Sequence, residues 1–271
     1  ARDSLNAAAW SSAVLAKRDK DATLVILAAD HVIHPVEVFA ERIRLGFQIT
    51  ADAPETLITF GIVPTAPLSG FGYLKLGDTL PGFPTARQVL EFKEKPTAEV
   101  AQTYIADGGY WWNSGMFIWR ADTLLALLDQ LQPINAKLLR ELTVTPQRTA
   151  QLYAQLPANS IDYAVMEPVS RGITTAHIAA IGMELEWRDV GSYAALRAAL
   201  PQDGYGNAAI GQVMFTDCQG TLAINTAPGV LAVVGMSDVV AVRSTAATLL
   251  CPLADSERVK EIAGLLATQQ P

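Results

Sequence analysis

Apolar runs of strand length alternate with amphipathic stretches of helix length along most of this chain, and that alternation predicts an α/β fold. Thr23 to Ala29 is continuously apolar and ends in Asp30-His31, the pattern of a parallel strand buried on both faces. Ahead of it, Ser4-Leu5-Asn6-Ala7-Ala8-Ala9-Trp10 reads as a helix with Ser4 as its cap. Pro35 suits a first helical turn, and Val36, Phe39, Ile43 and Phe47 then recur along one face. Leu57 to Val63 reads as the next strand, followed by a Pro/Gly/Ser loop from Pro64 to Gly72. Gln88 to Lys93 is a further strand. Thr97 to Asp107 is a helix capped by Thr97 and stopped by Gly108-Gly109. Met116 to Trp119 is another strand, and Asp122 to Leu131 a leucine-rich helix. The order implies a mostly parallel sheet with helices on both faces.

The pattern changes around Pro201 to Gly206. Short apolar runs broken by turns follow: Gln212 to Phe215, Leu222 to Asn225, Val230 to Val234, Val239 to Val242 and Thr248 to Cys251. They predict a small β module closed by a helix from Ser256 to Leu266, with Val259, Ile262 and Leu266 on one side. The expected division is a large α/β domain over 1–202 and a small β domain over 203–271.

Composition narrows the function. Half of the 271 residues are hydrophobic and 17% are charged, which fits a soluble α/β protein. A net charge of −7 argues against a broad nucleic-acid surface, because there is no basic excess to displace counterions from phosphates. No apolar run approaches the roughly 18 residues of a membrane span. Cys218 and Cys251 lie in apolar contexts without metal-ligand spacing and read as thiols in a reducing compartment. The chain opens at Ala1 with no charged leader, so no signal peptide and a cytoplasmic location are expected.

Candidate chemistry collects at strand ends. Asp30 closes a buried strand, and ligands of open α/β sheets bind beyond the strand carboxyl ends. A carboxylate there can hold Mg²⁺ against nucleotide oxygens, or simply cap the following turn. Asp189, in Trp187-Arg188-Asp189-Val190-Gly191-Ser192, is either a helix cap or a second metal ligand. Glu94-Lys95-Pro96 is an exposed charged turn, or a carboxylate for sugar hydroxyls beside an ammonium for a sugar phosphate. Asn113 is a turn former or a bidentate hydroxyl ligand. Gly70 and Gly72 permit close main-chain approach to a ligand. His31, His34 and His177 show no ligand spacing and read as structural; Trp111 and Trp112 read as packing residues. The chain contains no Gly-x-Ser-x-Gly elbow, P-loop or Gly-x-Gly-x-x-Gly fingerprint.

In this order the motifs resemble the bacterial mannose-1-phosphate guanylyltransferases of the sugar nucleotidyltransferase superfamily. The matching stretches are Leu27 to His31, Phe60 to Thr65 with Gly70 to Tyr73, Phe92 to Pro96, Trp112 to Phe117, Ser160 to Glu167 and Trp187 to Ser192. Gly206-Asn207 and the β module fit as well. The resemblance implies a Rossmann-like nucleotidyltransferase domain with a β-helix-like C-terminal module that serves in homodimer contacts. It implies a reaction in which a phosphate oxygen of mannose 1-phosphate attacks the α-phosphorus of GTP, giving GDP-mannose and pyrophosphate. Family roles then fall on Asp30 and Asp189 as Mg²⁺ ligands, with Lys95 beside them in catalysis. Gly72, Glu94, Lys95 and Asn113 map to sugar-phosphate contacts, Asp162 to the substrate-binding wall of the active site, and Ser4 and Asn6 to the guanine pocket. One departure stands out: the family's N-terminal glycine-rich loop, with an Arg and a following Pro-Lys, has no counterpart here. Catalysis by the chain as written is therefore not expected, nor, from its end at Pro271, is a bifunctional version with an appended isomerase-like domain. Two alternatives stay open: a non-catalytic nucleotide-sugar-binding regulatory subunit, and a transferase for another hexose 1-phosphate.

Overall fold

Strands form where β-branched and aromatic residues crowd the chain, and the computed structural model, which describes residues 2–262, gathers them into two compact units. One unit holds residues 2–29 and 34–185; the other holds 30–33 and 186–262. The contact boundary thus falls at Leu185–Glu186, ahead of the change in element character near Asp203. Among the described residues no helix is long and apolar enough to cross a membrane.

In the first unit the elements are α1 (Asp3–Arg18), β1 (Thr23–Ile26), β2 (His31–His34, which begins in the second unit), α2 (Val36–Asp52), β3 (Thr56–Ile62), β4 (Tyr73–Leu80) and β5 (Phe83–Lys93). Then come α3 (Ala98–Asp107), β6 (Tyr110–Arg120), α4 (Ala121–Leu131), α5 (Pro133–Val144), α6 (Thr149–Tyr153), α7 (Glu167–Ser170) and β7 (His177–Gly182). The sheet order is β1-β6-β3-β7-β5-β4, and β4 also pairs with β6, so β6, β3, β7, β5 and β4 close into a ring. The class is α/β, as expected, and the sheet is mixed: β3 and β7 run parallel, while β6 is antiparallel to β1, β3 and β4.

The main core lies on one sheet face. Leu57, Phe92, Phe117 and Trp119 pack there against Leu5 and Ala9 of α1, Leu124 and Leu128 of α4 and Leu139 of α5. Trp119 donates its indole N–H to Ser12, whose hydroxyl donates to Ala8, so the polar atoms in this layer are satisfied. α2 packs on the sheet, where Gly46 lets it approach so closely that an added Cβ would sit 2.5 Å from Ile118 Cδ1. α3 follows the sequence closely: Thr97 accepts from the Val100 N–H, and Gly108 ends it in the left-handed conformation.

The first strand departs from expectation. β1 covers only Thr23–Ile26, is half-buried, and pairs antiparallel with β6 at the sheet edge; Leu27 is exposed. An apolar run reports capacity for burial, not the direction of a neighbour, and only one flank of this strand is paired among the described residues.

The second unit contains β8 (Glu186–Asp189), which pairs with β2, and α8 (Tyr193–Ala199). A coil of short strands follows: β9 (Ala208–Ile210), β10 (Val213–Thr216), β11 (Leu222–Asn225), β12 (Leu231–Val234), β13 (Val239–Arg243) and β14 (Thr248–Pro252). Val213 pairs in parallel with Leu231 and Leu222 with Val240, a step of 18 positions in each case. Corners fall at Gly211, Asp217, Gly229, Gly235 and Asp238, all with positive φ. Cys218 is buried inside the coil, and both cysteines are free thiols. Of the expected closing helix, Leu266 lies outside the described residues; 253–258 form a 3₁₀ turn.

Gly61 and Gly182 make a slot on the ring for the Trp111 indole, since a Cβ on either would lie 2.3 and 2.8 Å from ring carbons. Gly61→Ala is expected to destabilise the protein by about 1–3 kcal/mol, as overpacking of a rigid ring does; a fall in the urea midpoint at unchanged slope checks it.

Candidate active site

Strand ends of the first unit build a polar pocket. β5 runs out at Lys93, and Glu94 is then buried to 8% exposure, with its backbone N–H donated to Glu167 Oε1 at 3.0 Å. Lys95 follows with φ 43°, a left-handed conformation that costs a bulky residue energy and is held only where its surroundings insist. Its Nζ lies 3.6 Å from Glu94 Oε1. Gly72 stands opposite: a Cβ there would lie 2.6 Å from Glu94 Oε2 and 3.3 Å from Asn113 Cβ, so only glycine leaves the carboxylate its place. The Gly72 carbonyl accepts from the Asn113 N–H at 2.8 Å.

Asn113 ties three elements together. Its Oδ1 accepts from the Thr59 hydroxyl of β3 at 2.7 Å, and its Nδ2 donates to Asp162 Oδ1 at 3.1 Å. One N–H and one lone pair of the amide are left for a ligand. Asp162 opens a π-helical turn, Asp162–Met166, a departure from regular helix that recurs at functional positions. The pocket therefore brings together Gly72, Glu94, Lys95 and Asn113, the sequence-derived sugar-phosphate candidates, with Asp162, the candidate for the site's wall.

Electrostatics here favour a retained proton. Burial, then the Asp162 charge, pushes the Glu94 carboxyl up to about 7, against the pull of Lys95. Burial also raises Asp162, partly offset by hydrogen bonds from its own backbone and from Asn113. Glu167, unremarked in the sequence beyond its motif, receives Arg171 at 2.7 Å and Lys93 at 3.9 Å and so anchors the Glu94 backbone. Trp112 is buried with its indole N–H lacking an acceptor among the described residues, a polar handle on a residue expected only to pack.

The second unit holds a different cluster. Asp30, just ahead of β2, and Asp189, the last residue of β8, meet with His31 so that one ligand atom from each lies within 4.8 Å of the others. The β2–β8 pairing and the Val190 N–H bond to the Asp30 carbonyl, 3.0 Å, bring these distant chain positions side by side. Asp189 does not cap α8; Ser192 does, accepting from the Ala195 N–H at 3.1 Å. His31, expected to be structural, instead completes this cluster. Its Nδ1 accepts from the Trp187 indole at 3.2 Å, which leaves the proton of a neutral ring on Nε2, and burial holds its pKa below the usual range. Two carboxylates beside an N–H donor fit a hydrated hard divalent cation, with the aspartates as ligands and His31 as their neighbour.

Ser4 is exposed and Asn6 buried, and both make hydrogen bonds within the fold. The Ser4 hydroxyl accepts from the Ile161 N–H at 3.0 Å, and α1 starts at Asp3 instead of being capped by Ser4. Asn6 is fully buried, donates to the Arg2 and Pro157 carbonyls, and accepts from Asn135. A short polar residue ahead of an apolar helix looks alike whether it meets a ligand or a neighbouring loop.

Comparison with known proteins decides the family. The nucleotidyl transferase family model matches residues 1–204. The chain belongs to the nucleotidyl transferase family. Among curated members it is 36% identical over 249 residues to the xanthan biosynthesis protein XanB of Xanthomonas campestris pv. campestris strain B100, covering 89% of this chain and 50% of that protein. It is 32% identical over 277 residues to a mannose-1-phosphate guanylyltransferase of Escherichia coli, covering 99% and 57%. Thus this nucleotidyl transferase chain spans about half the length of the curated relatives it matches. A Thermus thermophilus structure described as a mannose-1-phosphate geranyltransferase superposes with a TM-score of 0.80 at 27% identity, over 98% of this chain and 76% of that one.

Because the Glu94 carboxyl is raised from 4.5 to about 7, the folded state holds its proton more tightly than the unfolded chain does. Its contribution to stability is greatest at low pH, declines as pH rises through this interval, and is fully lost above about 7. Glu94→Gln is expected to flatten that slope, raising the melting temperature more at pH 8 than at pH 5; equal effects at both pH values would show that Glu94 is not the group responsible.

Proposed function

We propose that this nucleotidyl transferase chain carries the sugar-phosphate and divalent-cation sites of a mannose-1-phosphate guanylyltransferase, which forms GDP-mannose and pyrophosphate from GTP and mannose 1-phosphate. The observation that carries the reading is the convergence of Asp30 and Asp189, from opposite ends of the large α/β segment, on one cation-sized cluster. Relatives named for mannose 1-phosphate at 31–36% identity support the choice of sugar. The same reading makes the protein a cytoplasmic homodimer.

The chemistry needs no protein nucleophile. An oxygen of the sugar phosphate attacks the α-phosphorus of the nucleotide, the bond to the β-phosphate oxygen breaks, and pyrophosphate departs. What the reaction requires is that two anions be held in line and their repulsion offset. Lys95 supplies a cation for the sugar phosphate, and its left-handed backbone fixes where that charge stands. Glu94 and Asp162 accept from sugar hydroxyls, the free half of the Asn113 amide orients them, and Gly72 admits the sugar to the main chain. Asp30 and Asp189 are the residues that would hold Mg²⁺, which when bound offsets phosphate charge and polarises the phosphorus under attack.

Mannose 1-phosphate is expected to bind this chain, since its candidate contacts all lie in one unit, and Lys95→Gln to weaken it by roughly tenfold, in line with the ~1.5–3 kcal/mol of a charge-assisted bond. Calorimetry checks this; equal affinity for glucose 1-phosphate, or pyrophosphate release with UTP and glucose 1-phosphate but not with GTP and mannose 1-phosphate, would overturn the substrate assignment. Mg²⁺ is expected to raise the melting temperature of the unsubstituted chain but not of Asp189→Ala, and an equal rise in both would remove Asp189 from the cation site.

A further inference from the structure

A cavity of about 170 Å³ opens on the strand ring; its lining includes Gly61, which pairs with Asn113 of the pocket built by Glu94 and Lys95. Its lining includes Arg87 and Thr85 near the start of β5, whereas Glu94 follows the end of that strand. Arg42 of α2, Thr79 of β4, Trp111 and the exposed Glu184 complete the part that matters. The Trp111 ring is wedged over Gly61 and Gly182 and gives the cavity a flat apolar wall.

The polar groups here are lopsided. Arg42 forms no hydrogen bond or ion pair among the described residues, and its Nε is buried without an acceptor. Arg87 donates Nε and one terminal nitrogen to the Gly77 carbonyl at 2.8 and 2.6 Å, which pins the guanidinium and leaves its other terminal nitrogen unused. Neither arginine is paired with a carboxylate among the described residues, Glu184 included, and the hydroxyls of Thr79 and Thr85 have no hydrogen-bond partner there. Arg42 Nε has no accessible surface, so a guest in the cavity would meet this guanidinium at its terminal nitrogens. Two guanidinium groups and two hydroxyls around one small cavity match an oxyanion in number and kind of donor. The volume is below the 300–1,000 Å³ or so of pockets for larger ligands, which limits the guest to an ion or a small ester.

We infer that this cavity is a second anion site, which takes a phosphate-class oxyanion, as orthophosphate or as the phosphate of a small monoester, through Arg42 and Arg87.

Calorimetric titration of the chain with orthophosphate, and separately with glycerol 3-phosphate, at matched ionic strength tests the assignment. Measured in the Lys95→Gln background, which removes the phosphate-binding cation of the sugar-phosphate pocket, binding of orthophosphate is expected, weakened at least tenfold by Arg42→Gln and less by Arg42→Lys. Tighter binding of glycerol 3-phosphate than of orthophosphate, with the same dependence on Arg42, supports the monoester form of the same site. No binding in the Lys95→Gln background, or binding there that is unchanged by Arg42→Gln, would overturn it. Should Arg42→Gln fail to fold by circular dichroism, Thr85→Val takes its place, with a weakening of a few-fold expected and an unchanged affinity counting against the site.

Discussion

Taking a carboxylate out of water at the end of β5 is the constraint on which the pocket of the first unit depends. Glu94 is buried close to Asp162, and alone that arrangement would expel one charge or the other. Everything adjacent reads as compensation. Lys95 sits beside it in a costly backbone conformation, Asn113 donates to Asp162, and Glu167, itself paired with Arg171, takes the Glu94 N–H. Gly72 contributes by lacking a side chain where one would strike the carboxylate. The outcome is an acid poised near neutrality, so the pocket can switch between donating and accepting a hydrogen bond with little change in free energy.

Local chemistry is the most legible layer of the sequence. Thr97 and Gly108 mark the ends of α3 because a hydroxyl that accepts an N–H and a residue free to turn left-handed act within a few positions. Sheet connectivity is much less legible. Thr23 to Ala29 advertises burial, yet its strand stops at Ile26, pairs antiparallel and lies at an edge. Tyr73–Leu80 carries glycine and charge and lacks a clear strand signature, although β4 is what closes the ring through β5 and β6. Pairing is decided between segments far apart in the chain, and no window of a dozen residues contains it.

The candidate sites divide along the same line. Asp30 and Asp189 stand out in the sequence as strand-end carboxylates; that they meet depends on β2 pairing with β8, which only three dimensions reveal. His31 escapes sequence reasoning because metal sites are sought there through repeated spacings, while here the spacing that matters is adjacency to Asp30. Asn6 shows the converse. Its polarity resembles that of a ligand contact, but both ends of its amide are consumed by Arg2, Pro157 and Asn135. A polar side chain carries no mark of whether its partner is a ligand or its own fold.

The coil of the second unit has a consequence of its own. Each rung bonds only to the rungs above and below it, and inward-facing residues repeat in step with the 18-position offset. Growth by one whole period between these rungs would therefore keep their interior residues stacked, while the first course, from Ala208 to Leu222, closes in 14 positions. Length in this part of the molecule is quantised, and evolution can extend or shorten it in complete courses, like masonry, without redesigning what lies beneath.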